Sequence, residues 1–214
     1  MHRIKIFIAS SNQGKIKEIQ GIFKDYTIIA DASKFEHLKV EENADSFEGN
    51  AMIKAKALIN LIDDSSNFLA MADDSGLCID GLDGEPGIYS ARYANIKSGI
   101  LGNSSDISNI ECVIENMKKK SLQNSKAKFV ACIAIIGNIN GKHIEFISRG
   151  ELEGEIINNP RGKNGFGYDP IFIPLGHCKT LGELEPEEKN KISHRKKALE
   201  KIKDFLHTHP FNND

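Results

Sequence analysis

Two adjacent carboxylates, Asp73 and Asp74, follow the apolar run at residues 68–72 and lead into Ser75 and Gly76. Neighbouring ionised carboxylates repel each other and lose solvation at a strand end, so they persist most readily with a cation between or beside them. Hard oxygen donors of this kind suit magnesium or manganese rather than zinc. A second acidic pair, Glu41 and Glu42, precedes a helical segment. Alone it reads as a solvated turn. A magnesium site takes carboxylates from more than one segment, which makes this pair a candidate second source of ligands.

Ser10, Ser11, Asn12, Gln13, Gly14 and Lys15 form a small, polar loop. Placed between a strand and a helix, such a loop lets backbone approach a ligand closely. The helix N-terminus adds outward N–H groups and a positive dipole end, and Lys15 adds a full charge. That combination suits a triphosphate as well as it suits an ordinary solvated loop. The glycine spacing and the missing Lys-Ser/Thr pair exclude a P-loop.

Towards the C-terminus, Gly165, Phe166, Gly167, Tyr168, Asp169 and Pro170 place two aromatic rings among small residues, a pattern that suits stacking on a nucleobase. Lys189, Ser193, His194 and Arg195 follow in a lysine-rich segment where most cations belong to a solvated helix face. Lys189 and Arg195 do not share a face of an ideal helix. Either that helix starts late or the two cations reach a site from different sides.

These residues need elements to hold them. The apolar run at 4–9 predicts a buried strand, Ile16, Ile19, Ile22 and Phe23 recur at helical spacing, and 26–30 predicts another strand. Strand, helix, strand is a βαβ unit with a parallel pair. A long helix is expected from Ser46 to about Asp63, capped by Ser46 or Asp45. Strands are expected at 68–72 and again at 77–80, with a glycine-rich turn at 81–87. Residues 94–106 read as a mobile connection and 107–120 as a helix. Segments 129–136 and 143–148 predict an antiparallel pair across a turn at 138–141. Residues 158–169 predict a glycine-rich loop, 171–173 a strand, 187–207 the final helix and 210–214 a frayed tail. The expected fold class is α/β.

The 214 residues are 40% hydrophobic and 27% charged, an ordinary globular composition, with a net charge of −2. A phosphate binder without a global positive field must concentrate its cations locally, and a nucleic-acid partner is not expected. Cys78, Cys112, Cys132 and Cys178 form no CxxC pair and lack zinc-ligand spacing. No signal peptide or membrane-spanning run is read, and a cytoplasmic location is expected.

In order, the chain carries Ser10-x-Asn12-x-x-Lys15-x-x-Glu18, Phe47-Glu48-Gly49-Asn50-Ala51, Ala72-Asp73-Asp74-Ser75-Gly76-Leu77, Pro86-Gly87-Ile88-Tyr89-Ser90-Ala91-Arg92-Tyr93, Phe166-Gly167-Tyr168-Asp169-Pro170 and Ile192-Ser193-His194-Arg195. Together they closely resemble the inosine triphosphate pyrophosphatase family over nearly the whole chain. The resemblance implies a single domain over residues 1–214, a mixed twisted sheet with flanking helices, and two lobes around a central nucleotide-binding cleft. It further implies a homodimer that converts ITP, dITP and XTP to monophosphate and pyrophosphate with Mg2+. By motif, Ser10, Ser11, Asn12, Gln13, Gly14 and Lys15 match triphosphate-binding positions, with Lys54 a further candidate. Asp74 matches the proton acceptor and a metal ligand, and Glu41 a second metal ligand, although the departure at Asn43-Ala44 leaves Glu42 as the alternative. Ser75, Phe166, Gly167, Tyr168, Asp169, Lys189, His194 and Arg195 match substrate-binding positions.

On this reading Asp74 takes a proton from, or positions, the attacking water, and Lys15 with Lys54 stabilises the departing pyrophosphate. Donors from His194, Arg195 or the backbone would pair with a 6-oxo group and be left unpaired by the 6-amino group of adenine. Each such loss costs about 1–3 kcal/mol. Two rival readings stand: a house-cleaning pyrophosphatase for other modified nucleotides, and a non-catalytic nucleotide-binding protein. The acidic pair argues against the second, since carboxylates repel phosphate unless a cation intervenes.

Overall fold

The protein is described by a computed structural model covering residues 4–8, 10, 12–30, 40–62 and 67–208. Ala9, Ser11, Asp63 and the expected tail at 210–214 lie outside the described residues.

Six strands form one mixed sheet in the order β2-β1-β3-β4-β5-β6. They are β1 (Lys5–Ile8), β2 (Thr27–Ile29), β3 (Phe68–Ile79), β4 (Asn124–Ile139), β5 (Lys142–Ile157) and β6 (Phe172–Pro174). The described helices are α1 (Gln13–Ile22), α2 (Phe47–Ile59), α3 (Tyr93–Lys97), α4 (Asp106–Lys119), α5 (Pro186–Ile192) and α6 (His194–Thr208). The α/β class is as expected. The opening βαβ unit is present, with β1 parallel to both β2 and β3. At the other edge β5 and β6 run antiparallel.

Two compact units emerge from the packing: Met1–Asp74, Ala131–Gly150 and Arg195–Asp214 form the first, and Ser75–Val130 with Glu151–His194 the second. Each has its own core. In the first, Ile6, Ile8, Leu69, Met71 and Ile133 pack with Ile19 of α1 and Leu199 and Ile202 of α6. In the second, Leu77, Ile79, Phe129 and Phe172 pack with Ile110, Val113 and Met117 of α4. Helical spacing in α4 puts those three side chains on one stripe.

Several boundaries differ from expectation. Residues 68–79 are not two strands around an acidic turn. They form the single strand β3 through Asp73, Asp74, Ser75 and Gly76, and Asp80 opens a 3-10 turn. The hairpin strands are sixteen residues each, longer than their apolar runs, joined at Asn140 and Gly141, both at positive φ (50° and 76°). That left-handed pair matches the twist of the flanking strands and fixes their register. Residues 94–106 are not a loose connection. Asn95 takes Ser104 Oγ on its backbone N–H at 2.9 Å, and its amide donates to Gly102 O and Asn103 O at 3.1 and 3.0 Å. The final helix is two: α5 stops at Ser193, whose extended ψ of 135° breaks the path before α6 begins.

Candidate active site

In the first unit, strand β3 and helices α1, α2 and α6 bring charged side chains together. Asn12 caps α1, its side chain accepting from Lys15 N at 3.1 Å, and Ser10 Oγ accepts from Asn12 N at 3.2 Å. The small polar loop therefore shapes its own turn and leads into the positive end of a helix, as expected. Gln13 is exposed and Gly14 half-buried there, while Ser11 is outside the described residues. Lys15, in the first turn, donates to Asp73 Oδ1. Arg195 Nε donates to the other Asp73 oxygen at 2.9 Å, and Arg195 Nη1 to Glu18 Oε2 at 3.2 Å.

The next residue along β3 meets a different cation. Lys54 Nζ of α2 donates to Asp74 Oδ1 at 2.6 Å, to Glu42 Oε1 at 2.8 Å and to the Asp73 carbonyl at 3.4 Å. Side chains alternate sides along a strand, so two adjacent acids need not share one counter-ion. Each acid has a cation beside it, Lys15 and Arg195 at Asp73 and Lys54 at Asp74. Both acids are buried, at 8% and 6% exposure.

Their protonation is pushed in opposite directions. Burial raises the Asp73 carboxyl, but Arg195 and Lys15 outweigh it and hold the group far below the usual carboxylate range. At Asp74 burial dominates and raises the carboxyl above its ordinary value, Glu42 adding to the rise and Lys54 opposing it. Burial also lowers Lys15, against the pull of Asp73. Lys54 goes up, because Asp74 and Glu42 together overcome its burial.

Glu41 is exposed, and it is Glu42 whose carboxylate joins Asp74 at Lys54. Among the described residues, no three or more His, Cys, Asp or Glu side chains group as a metal site. Two carboxylates, Asp74 and Glu42, converge on the Lys54 ammonium.

In the second unit, the segment with two aromatics is built around Asp169. Its Oδ2 accepts from Phe166 N at 2.8 Å and from Lys189 Nζ at 2.5 Å. The Lys189 ammonium also lies 4.4 Å from the Phe166 ring centre, a cation–π geometry. Gly165 sits at φ 78°, where a Cβ would fall 2.0 Å from Asp169 Oδ2, so only glycine permits this turn. Gly167 N donates to Asp106 Oδ2 at 2.7 Å, anchoring the segment to the start of α4.

Tyr168 is packed into the core of the second unit. Its ring is buried and its hydroxyl donates to Ser90 O at 2.8 Å, so it is a packed core residue rather than an open stacking face. Phe166 is half-buried and keeps the stacking role open. His194 stacks on Phe129, ring centres 5.0 Å apart. Ser75 is half-buried in β3. Arg195 is 2% exposed, with Nε and Nη1 engaged by Asp73 and Glu18, which leaves those donors committed to carboxylates rather than offered to a base. Ser193, at ψ 135°, breaks the chain direction between Lys189 of α5 and Arg195 of α6.

Two contributors were not assigned roles from sequence. Glu18 is the second partner of Arg195; its signal was the one-turn offset from Lys15 on α1. Asn50 is fully buried on α2, and its signal was a polar residue within the stripe of Phe47, Ala51 and Leu58.

The chain is similar to known proteins over nearly its whole length. The sequence profile of the Ham1 family matches residues 6–205. A Campylobacter jejuni protein named dITP/XTP pyrophosphatase is 43% identical over 205 residues, covering 95% of this chain and 97% of its own length. One of the same name from Sulfurimonas denitrificans is 42% identical over 208 residues, covering 96% and 100%. The solved Ham1 protein of Staphylococcus aureus superposes with a TM-score of 0.79 at 38% identity, covering 95% of this chain and 98% of that one. With sequence matched over nearly the whole length and the fold matched as well, the chain belongs to the Ham1 family.

Proposed function

We propose that this enzyme hydrolyses the triphosphates of deaminated purines, ITP, dITP and XTP, to the nucleoside monophosphate and pyrophosphate, with Asp74, Lys54 and Glu42 at its reaction centre. It is a nucleoside-triphosphate pyrophosphatase, a hydrolase of phosphoric anhydrides, like the relatives named above. The observation that carries the assignment of the centre is the convergence of Asp74 and Glu42 on Lys54 Nζ, at 2.6 and 2.8 Å, in the same unit as Lys15 and the N-terminus of α1.

Two carboxylates within reach of one positive point make a hard-oxygen donor set that fits Mg2+. This ion is commonly held by one or two carboxylates together with substrate phosphates and water. Asp74 and Glu42 would hold it. When bound, it would offset negative charge on the phosphate oxygens. Asp74, its carboxyl raised by burial, is the proton acceptor that takes a proton from, or orients, the attacking water. The N-terminal end of α1, with Ser10, Asn12, Gln13 and Gly14, holds phosphate oxygens, and Lys15 and Lys54 stabilise the departing pyrophosphate. When Lys15 turns to phosphate, Arg195 keeps the Asp73 carboxylate compensated.

In the second unit, Phe166 and Lys189, held by Asp169, are assigned to the nucleobase, together with Ser75, Gly167 and His194. Tyr168 and Arg195 act behind them as supports. The whole chain, residues 1–214, is taken as one catalytic domain, working as a homodimer in the cytoplasm. No described helix is long and apolar enough to cross a membrane.

The deciding assay offers ITP, dITP, XTP, ATP and GTP separately with Mg2+ and measures monophosphate and pyrophosphate. Deaminated purines should be turned over at least about a hundredfold faster than ATP, the size expected from two unpaired buried donors. Release of orthophosphate instead of pyrophosphate, or equal rates on ATP, overturns the reading. Light scattering of the purified protein tests the dimer.

A further inference from the structure

Asn50 has no exposed surface, although it sits among the apolar side chains by which α2 enters the core of the first unit. Burying an amide costs free energy unless its groups are bonded. Both are. Oδ1 accepts from the backbone N–H of Ala44 at 3.1 Å, and Nδ2 donates to Asp74 Oδ2 at 3.5 Å. One amide thus ties the backbone two residues beyond Glu42 to the Asp74 carboxylate.

The surroundings are shaped for that tie. Residues 40–44 belong to no helix or strand, so regular backbone pairing does not hold Glu42 in place. The segment comes close to α2 because residue 49 is glycine: a Cβ there would stand 2.6 Å from Ala44 Cβ and 3.1 Å from Ser46 Oγ. Ser46 Oγ meanwhile caps the helix by accepting from Gly49 N at 3.3 Å. Asn50 then supplies the hydrogen bond that holds the approach. With Oδ1 engaged by Ala44 N, the side chain is oriented so that Nδ2, a donor, faces the carboxylate. It therefore orients Asp74 rather than acting as an oxygen ligand beside it.

We propose that Asn50 is a positioning residue that sets the separation and orientation of the Asp74 and Glu42 carboxylates, and thereby their joint affinity for a divalent cation. The proposal rests on the assignment of those two carboxylates made above. A buried group that only fills space would affect stability alone. A group that holds two ligands in register affects the cation's binding constant, and excess cation restores turnover.

The test compares the full-length wild type with Asn50→Leu, which keeps the volume and loses both bonds, and with Asn50→Ser as the smaller replacement. Mn2+ binding is read by electron paramagnetic resonance with an ITP analogue whose α,β bridge is an imido group, and folding is checked by thermal melting. In whichever variant is folded, the Mn2+ dissociation constant should rise about tenfold or more, the usual scale for losing a group that orients a metal ligand. Activity at limiting Mg2+ should fall by a similar factor and largely recover at saturating Mg2+. A folded variant with Mn2+ affinity within about twofold of wild type overturns the positioning role and leaves Asp74 and Glu42 untouched. Wild type and Asp74→Asn binding Mn2+ equally would overturn the underlying assignment as well.

Discussion

Asp73 and Asp74 are consecutive residues of β3 and answer to different cations: Asp73 pairs with Lys15 and Arg195, Asp74 with Lys54. The first pairing is an internal ionic network, the second a pairing in which Glu42 also takes part. Replacing the two acids should therefore separate stability from catalysis.

Asp73→Asn strips Arg195, at 2% exposure, of one of its carboxylates. Removing one partner of a buried ion pair costs about 3–5 kcal/mol. Urea denaturation should show a loss of that order, accompanied by reduced turnover. Asp74→Asn should fold with wild-type or higher melting temperature and release pyrophosphate at least about a hundredfold more slowly. A strongly destabilised Asp74→Asn, or an active one, would contradict the division of labour.

The pH dependence of stability has opposite signs at the two acids. The Asp73 carboxyl is depressed in the folded state, so its stabilisation is complete above the ordinary value of 3.8 and is lost as pH falls through the lowered one. The stability gap between wild type and Asp73→Asn should narrow as urea titrations move below about pH 4. Asp74 is raised, so its burial is uncostly below 3.8 and opposes folding once pH rises through the raised value. Any stability advantage of Asp74→Asn should accordingly grow from acid towards neutral pH.

Glu41→Gln and Glu42→Gln offer a direct comparison of neighbours. Glu41 is exposed, whereas Glu42 Oε1 lies 2.8 Å from Lys54 Nζ. Glu42→Gln should raise the Mg2+ concentration needed for half-maximal activity about tenfold or more, and Glu41→Gln should change it less than about twofold. The reverse order would return the second ligand to Glu41.

Tyr168→Phe removes the hydroxyl that reaches Ser90 O and leaves the ring in place. The expected result is a stability loss of about 1 kcal/mol with the KM for ITP little changed. Phe166→Ala takes away the ring on which Lys189 rests and should raise the KM for ITP about tenfold, the scale of one lost stacking contact. Equal KM effects at the two positions would put Tyr168 back in contact with substrate.

Much of this protein is legible in its residues taken in order. The βαβ opening follows from an apolar run, a polar loop and helical spacing; the cap of α2 follows from Ser46 before an apolar stripe. The six motifs, read in sequence, identify the family, because local residue types with their spacing persist whatever the packing around them. The roles of individual members do not follow in the same way. Whether residues 73–76 bend as a turn or continue as a strand is decided by β-sheet pairing with distant segments, and only a continuous strand sends Asp73 and Asp74 to separate cations. Glu42 rather than Glu41 reaches Lys54 because Gly49 and Asn50 draw residue 44 against α2. Tyr168 is a core residue because Ser90, 78 positions away, supplies its hydrogen-bond acceptor. Residue type and spacing determine which chemistry a chain can assemble; burial and long-range partners, which depend on the completed packing, determine which side chains are left to perform it.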